Sequence, residues 1–168
     1  MKKEEIYPYW NKLCSGLLLG KTIVKVRYLT QVEMKSLGWY SSGVVLQLND
    51  GNLILPSKDD EGNDTGTLFI SGKKSEILAP VVNTGRDATV FLQSIRKEIQ
   101  HSPIVKAEYM SVTEAEKKGW YSCPLMITLL NGTTFYSVQG SSCNDGGALF
   151  TSFKGAETFP IIGTYISN

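Results

Sequence analysis

The stretch IVKVRYLTQVEMKSLGWYSSGVVLQLNDG, residues 23–51, returns as IVKAEYMSVTEAEKKGWYSCPLMITLLNG at residues 104–132. Carried on to Ser71 and Ser152, the two copies align without a gap at an offset of 81 residues, with 17 identities in 49 positions. Average composition alone would give roughly 3. The chain is therefore an internal repeat, and a repeat constrains the fold before any motif does. Backwards, the same offset lays Trp10, Cys14 and Leu18 over Phe91, Ile95 and Ile99, apolar positions four apart on a helix. Forwards, after a one-residue deletion, Pro80 lies over Pro160. Each unit thus opens with a helix, and the helix that links the copies, over residues 87–100 with Asp87 as N-cap and Pro103 as its stop, belongs to the second. The units are expected over residues 5–83 and 86–163.

Period and punctuation give the order of elements. Residues 23–29 and 104–110 are short β-rich runs, each followed by a capping box, Thr30-x-x-Glu33 and Ser111-x-x-Glu114, that starts one or two helical turns. Gly38 and Gly119 are placed to end those turns as C-caps. Alternation follows with a shared phase: Val44, Leu46 and Leu48 answer to Leu125, Ile127 and Leu129, so one face is buried in both copies. Asp50-Gly51 and Asn131-Gly132 then mark hairpin turns. The expected fold class is α+β, mainly β. Two small SH3-like or Sm-like barrel units, each preceded by a helix, are the first expectation; one sheet shared about a pseudo-two-fold axis, as in a fused dimer, is the alternative.

Seventeen Lys and Arg stand against sixteen Asp and Glu, a formal charge of +1, with no long block of like charge. That argues against binding a nucleic-acid polymer, which needs clustered cations to neutralise phosphates. No apolar run approaches the ~20 residues of a membrane span. The opening residues Met1-Lys2-Lys3-Glu4-Glu5 lack the apolar region of a signal peptide. A cytoplasmic protein is the simplest expectation. Cys14, Cys123 and Cys143 fall opposite Ile95, Ser42 and Gly62; an odd number with no metal-type spacing reads as reduced, partly buried thiols.

Two clusters survive in both copies. In Gly-Trp-Tyr-Ser, at 38–41 and 119–122, the glycine suits a left-handed C-cap. The rings of Trp39, Tyr40, Trp120 and Tyr121 either pack on the sheet or form a flat wall on which a planar ligand stacks. In the loop at 59–66, matched by 140–147, the kept residues are Asn63-Asp64 and Asn144-Asp145 with a glycine two positions on. They either build a tight turn or contact a ligand. Asp59, Asp60 and Glu61 occur in the first copy alone and are weak candidates for holding Mg²⁺ or Ca²⁺, since EF-hand spacing is not met.

Enzyme patterns are absent from the sequence: no phosphate-cradling glycine loop, dinucleotide fingerprint, zinc-protease motif or nucleophile elbow occurs. The single histidine, His101, sits at the end of the linker helix, where a C-cap is its expected role, and one histidine cannot serve two symmetric sites. No cofactor is called for.

From the first strand to the Asn-Asp loop, the chain resembles uncharacterised small bacterial and phage proteins that carry roughly one such unit. Their pattern is Gly-Trp, a strand, Asp-Gly and an Asp-Glu-Gly-Asn-Asp-Gly-Gly-Ala-Leu loop. Here it is split: the first copy keeps 60–64 and then has Thr65, and the second keeps 144–149 without the acidic half. The resemblance covers about 50 residues per copy and implies no activity. The reading of choice is a non-catalytic binding protein for a small polar or nucleotide-like ligand, for example one that sequesters a signalling nucleotide. A protein-interaction module, with a homo-oligomer among its forms, and a metal-dependent hydrolase using residues 59–64 are the alternatives.

Overall fold

Two hairpins built on the repeated stretch carry the structure. The computed structural model describes residues 3–28, 30–37, 44–54, 68–71, 76–78, 99–120, 122–137 and 162–163. In order, its elements are α1 (Lys3–Leu18), β1 (Ile23–Tyr28), α2 (Gln31–Leu37), β2 (Val44–Leu48), β3 (Leu53–Ile54), β4 (Leu68–Ser71), β5 (Glu76–Leu78), β6 (Ile104–Tyr109), α3 (Val112–Lys117), β7 (Ser122–Cys123), β8 (Leu125–Leu129), β9 (Thr134–Ser137) and β10 (Ile162–Gly163). The fold is α+β and mostly strand.

Strand pairing recurs residue for residue at the sequence offset. Ile23 faces Leu48, Val26 faces Leu46 and Tyr28 faces Val44; Ile104 faces Leu129, Ala107 faces Ile127 and Tyr109 faces Leu125. Both pairs slip register after the first residue, between Ile23 and Lys25 and between Ile104 and Lys106, leaving Val24 and Val105 as the extra residues of matched bulges. Even the turns repeat. Gly51 N–H bonds Leu48 O and Gly132 N–H bonds Leu129 O, each at 2.9 Å. The side chains of Asp50 and Asn131 accept from the backbone of Asn52 and Thr133, each at 3.0 Å. Gly51 and Gly132 have φ 84° and 88°, a conformation that favours glycine.

The copies meet where each first strand begins. Thr22 pairs antiparallel with Pro103, its own counterpart in the repeat. Gly20 N–H bonds Ile104 O and His101 N–H bonds Ile23 O, each at 2.9 Å, and these two bonds exchange places under the repeat. Elsewhere the copies interleave. The five-stranded sheet runs β5-β4-β9-β8-β6, so β4 and β5 of the first repeat extend the hairpin of the second, with Leu68 opposite Ser137 and Ser71 opposite Thr134. α1, from the first repeat, lies on β6 of the second. One apolar cluster results, holding Ile23, Val26, Leu46 and Leu48 together with Ile104, Ala107, Ile127 and Phe135, and closed by Cys14, Leu18 and Ile99 from the helical stretches.

The small barrel expected in each repeat is not seen among the described residues. Among the described residues the sheets have three, five and two strands and none closes. Among the described residues β1 and β6 are edges, and side chains of α1 and Gln100 take outward backbone groups of these strands. Asn11 Oδ1 accepts from Tyr109 N–H at 2.8 Å, Ser15 donates to Ala107 O at 3.2 Å, and Gln100 donates to Val24 O at 3.2 Å. Such capping protects an edge from further pairing. The junction at residues 83–86 lies outside the described residues.

Both expected capping boxes form. Ser111 and Glu114 satisfy each other's backbone N–H. Thr30 and Glu33 do the same, at 2.8 and 3.2 Å, and Glu33 also receives a two-pronged bond from Arg27 of β1, 2.7 Å on each side. That guanidinium, with the Thr30 bonds adding to it, holds the Glu33 carboxyl down at about 2. A carboxylate depressed on folding stabilises the fold above its unfolded value, and the contribution fades as pH falls toward the folded one. Urea stability of the native chain should therefore drop between about pH 4.5 and about pH 2, and Glu33→Gln should flatten that part of the profile. The linker helix expected over residues 87–100 lies outside the described residues over 87–98; after it His101 has φ 66°, and Gly20, its counterpart in the first copy, has φ 77°. A non-glycine residue there carries a cost of ~1–2 kcal/mol, partly offset by glycine's greater freedom in the unfolded chain. His101→Gly should accordingly stabilise by about 0.5–1 kcal/mol, read as a rise in the urea midpoint.

Candidate functional site

Of the residues that the sequence singles out for binding, Trp120 lies within the described structure; Trp39, Tyr40, Asn63, Asp64, Tyr121, Asn144, Asp145 and the acidic trio Asp59, Asp60 and Glu61 lie outside it. Trp120 is held by the way α3 stops. Lys118 is the C-cap, Gly119 turns left-handed at φ 72°, Gly119 N–H bonds Glu116 O and Trp120 N–H bonds Ala115 O, each at 2.9 Å. These are the two reverse bonds of a Schellman cap, which only a residue free of a Cβ makes without strain. The glycine of the repeated Gly-Trp pair thereby fixes where the ring starts.

The Trp120 ring is half-buried against the core cluster, so packing and an accessible face coexist in one side chain. Tyr136 of β9 meets it edge-on, centroids 6.1 Å apart at 62°. The Lys118 ammonium stands 5.4 Å from the ring centre, within cation–π range. Burial, and then the nearby Glu114 charge, push the Tyr136 phenol above its ordinary range, which leaves its O–H a hydrogen-bond donor at neutral pH. An aromatic pair is thus bordered by one cationic and one anionic side chain. At the repeat offset Tyr136 corresponds to Leu55, Lys118 to Leu37 and Glu114 to Glu33, and Glu33 is tied to Arg27. Looking for what both copies keep finds Trp120 and Glu114 but misses Lys118 and Tyr136, which the first copy lacks.

A second polar cluster lies under α1. Tyr7 donates to Cys123 Sγ at 2.8 Å and meets Tyr109 edge-on, centroids 6.4 Å apart at 84°. Burial is the main reason that the Tyr109 phenol rises, and its hydrogen bond with Cys14 adds to the rise. Burial pushes Cys14 up to about 12 against the opposing pull of Tyr109, and lifts Cys123 against that of Tyr7. Both thiols are free and buried and stay protonated at neutral pH, which makes them packing groups and not nucleophiles. Tyr7, Asn11 and Ser15 form this polar stripe at four-residue spacing, beside the apolar stripe of Trp10, Cys14 and Leu18, and that spacing could have shown it.

Among the described residues no group of three His, Cys, Asp or Glu side chains could hold a metal ion, and no helix is long and apolar enough to cross a membrane. Compared with protein families, curated proteins and solved structures, the chain matches none. Alkylation of the native protein should leave Cys14 and Cys123 unlabelled while urea exposes both, as peptide mapping by mass spectrometry would read. Labelling of either at the native thiol's ordinary rate would contradict the buried cluster.

Proposed function

We propose that this chain is a non-catalytic binding protein for a small polar, nucleotide-like ligand, with its main contact surface at Trp120 in the second repeat. The observation that carries this reading is the half-exposed Trp120 ring with Tyr136 at its edge and Lys118 and Glu114 beside it. A planar heterocycle needs a π surface to stack on, and polar groups of both kinds around it to fix its orientation. A phosphate or carboxylate on the same ligand would draw Lys118 off the ring. Trp39 and Tyr40, with Asn63 and Asp64 and their partners Tyr121, Asn144 and Asp145, are read as the remaining contacts of one altered and one retained site. In the same reading the molecule is a fused dimer: a unit of the kind found in small bacterial and phage proteins, duplicated, with its copies related by a pseudo-two-fold axis near Thr22 and Pro103. That bridge pairs each residue with its own counterpart, as an axis through the pair requires.

Native mass spectrometry of freshly purified protein tests the reading. A reproducible added mass of a few hundred daltons is expected, and its fragmentation gives the ligand class. Lys118→Ala and Glu114→Gln, both on exposed side chains, should each weaken retention with the thermal melt unchanged. Trp120→Ala should cost the ~1–3 kcal/mol of a stacked base, tenfold or more in affinity. A clean apo mass, or equal retention by the three variants, would contradict it.

A further inference from the structure

We infer that the ligand of the Trp120 surface is a guanine nucleotide, with the N1–H and 2-amino edge of its base forked onto the Glu114 carboxylate while the base stacks on the Trp120 ring. The inference rests on the ligand reading above and narrows it to one base. The first repeat shows what a carboxylate at this place takes. Glu33, the counterpart of Glu114, receives two parallel N–H bonds from the planar Arg27 guanidinium, one to each oxygen and each at 2.7 Å. Such a charge-assisted fork fixes orientation as well as adding energy.

The second repeat keeps the carboxylate and lacks the fork. Arg27 lies on β1 opposite Val45 of β2. The equivalent place on β6, opposite Met126 of β8, holds Glu108, whose own carboxylate is paired with Lys106 at 3.4 Å. Glu114 accepts its cap bonds from Ser111, the N–H at 3.3 Å and the hydroxyl at 3.0 Å, both on Oε2. Among the described residues it enters no ion pair. It stands one helical turn before Lys118, with its charge close to Tyr136. Where the first repeat has Arg27, Leu37 and Leu55, the second has Glu108, Lys118 and Tyr136. The cation that fills the carboxylate is thus absent from the copy that has a cation at the tryptophan ring and a second aromatic at its edge.

These three differences select the ligand. It must be planar, to stack on the ring. It must carry two adjacent N–H donors on one edge, to replace the guanidinium. An anionic group on it then answers the exposed Lys118 ammonium. Guanine has that donor pair, and its nucleotide has the phosphate. Adenine presents an acceptor at N1, which sets a lone pair against the carboxylate. Hypoxanthine keeps N1–H but has no 2-amino group.

Isothermal titration calorimetry of the full chain with GMP, IMP and AMP tests this. GMP should bind, IMP about tenfold more weakly through the loss of one bond to a charged group, and AMP more weakly again. Glu114→Gln, which keeps a residue able to cap the helix, should weaken GMP about tenfold and remove its advantage over AMP. Glu108→Arg should do the same by supplying the fork from within, as Arg27 does, with the thermal melt no lower. AMP binding as tightly as GMP, or GMP binding unmoved by Glu108→Arg, would overturn the guanine assignment and leave the ligand reading in place. Binding of none of the three would also overturn it, and would take the ligand reading with it only if the native mass is clean as well.

Discussion

Two hydrogen bonds across the seam between α1 and β6 set the arrangement of everything else. Among the described residues β6 is an edge strand, and its outward N–H at Tyr109 and C=O at Ala107 sit beneath α1 in a partly buried seam. Asn11 takes the first and Ser15 the second. A buried backbone group without a partner costs ~1–3 kcal/mol, so whichever helix covers this strand must present a polar side chain at both places. α1 does. The sequence at the same offset before the second repeat has Leu92 and Arg96 in their stead and Ala88 in place of Tyr7. Hydrophobic pattern alone would let either helix cover either hairpin, since the inward stripes match; the polar stripe makes α1 the partner of the second repeat.

Once the first helix is committed to the second sheet, the repeats cannot be two independent bodies. The crossing brings Thr22 to Pro103 and joins Gly20 and His101 reciprocally to the opposite first strands. β4 then continues the hairpin of the second repeat at β9. A single apolar cluster follows, drawn from both repeats. The polar Tyr7–Cys123 contact and the Asn11 and Ser15 bonds all lie on the second hairpin, and so does the Trp120 and Tyr136 pair with its two charges. The copies share their backbone plan and differ in the chemistry laid on it, which is why the proposed binding surface is assigned to one repeat.

What could be read in the sequence was local. The hairpin turns at Gly51 and Gly132, the capping boxes at Thr30 and Ser111, the left-handed φ at Gly119 and His101, the burial of Leu46 and Leu48 on β2 and the alternating phase of β8 are each decided by a few neighbouring residues. The repeat gave the offset that the pairing registers follow. The pairing of helix with sheet was not legible, because two near-identical units offer the same contacts within a copy and between copies. Only the Tyr7, Asn11 and Ser15 stripe distinguishes them. The small-barrel expectation is not met among the described residues, where β4 and β5 of the first repeat extend the sheet of the second. Of the site, Trp120 was legible through the repeated Gly-Trp pair. Lys118 and Tyr136 were not, because a comparison of copies rewards what is common and passes over what one copy alone has acquired; Glu114, matched by Glu33, was legible as a helix cap.

The account stands or falls on whether the two repeats open as one unit. Native-state hydrogen exchange measures this at Val26 and Leu46 in the first hairpin and at Ala107 and Ile127 in the second, in the native chain and in Asn11→Ala. With the seam as described, the slowest amides of both hairpins exchange by one global opening, and Asn11→Ala lowers the opening free energy of both sets together, by ~1–3 kcal/mol. Two separate opening energies in the native chain, or a loss of protection confined to one hairpin in the variant, would contradict it.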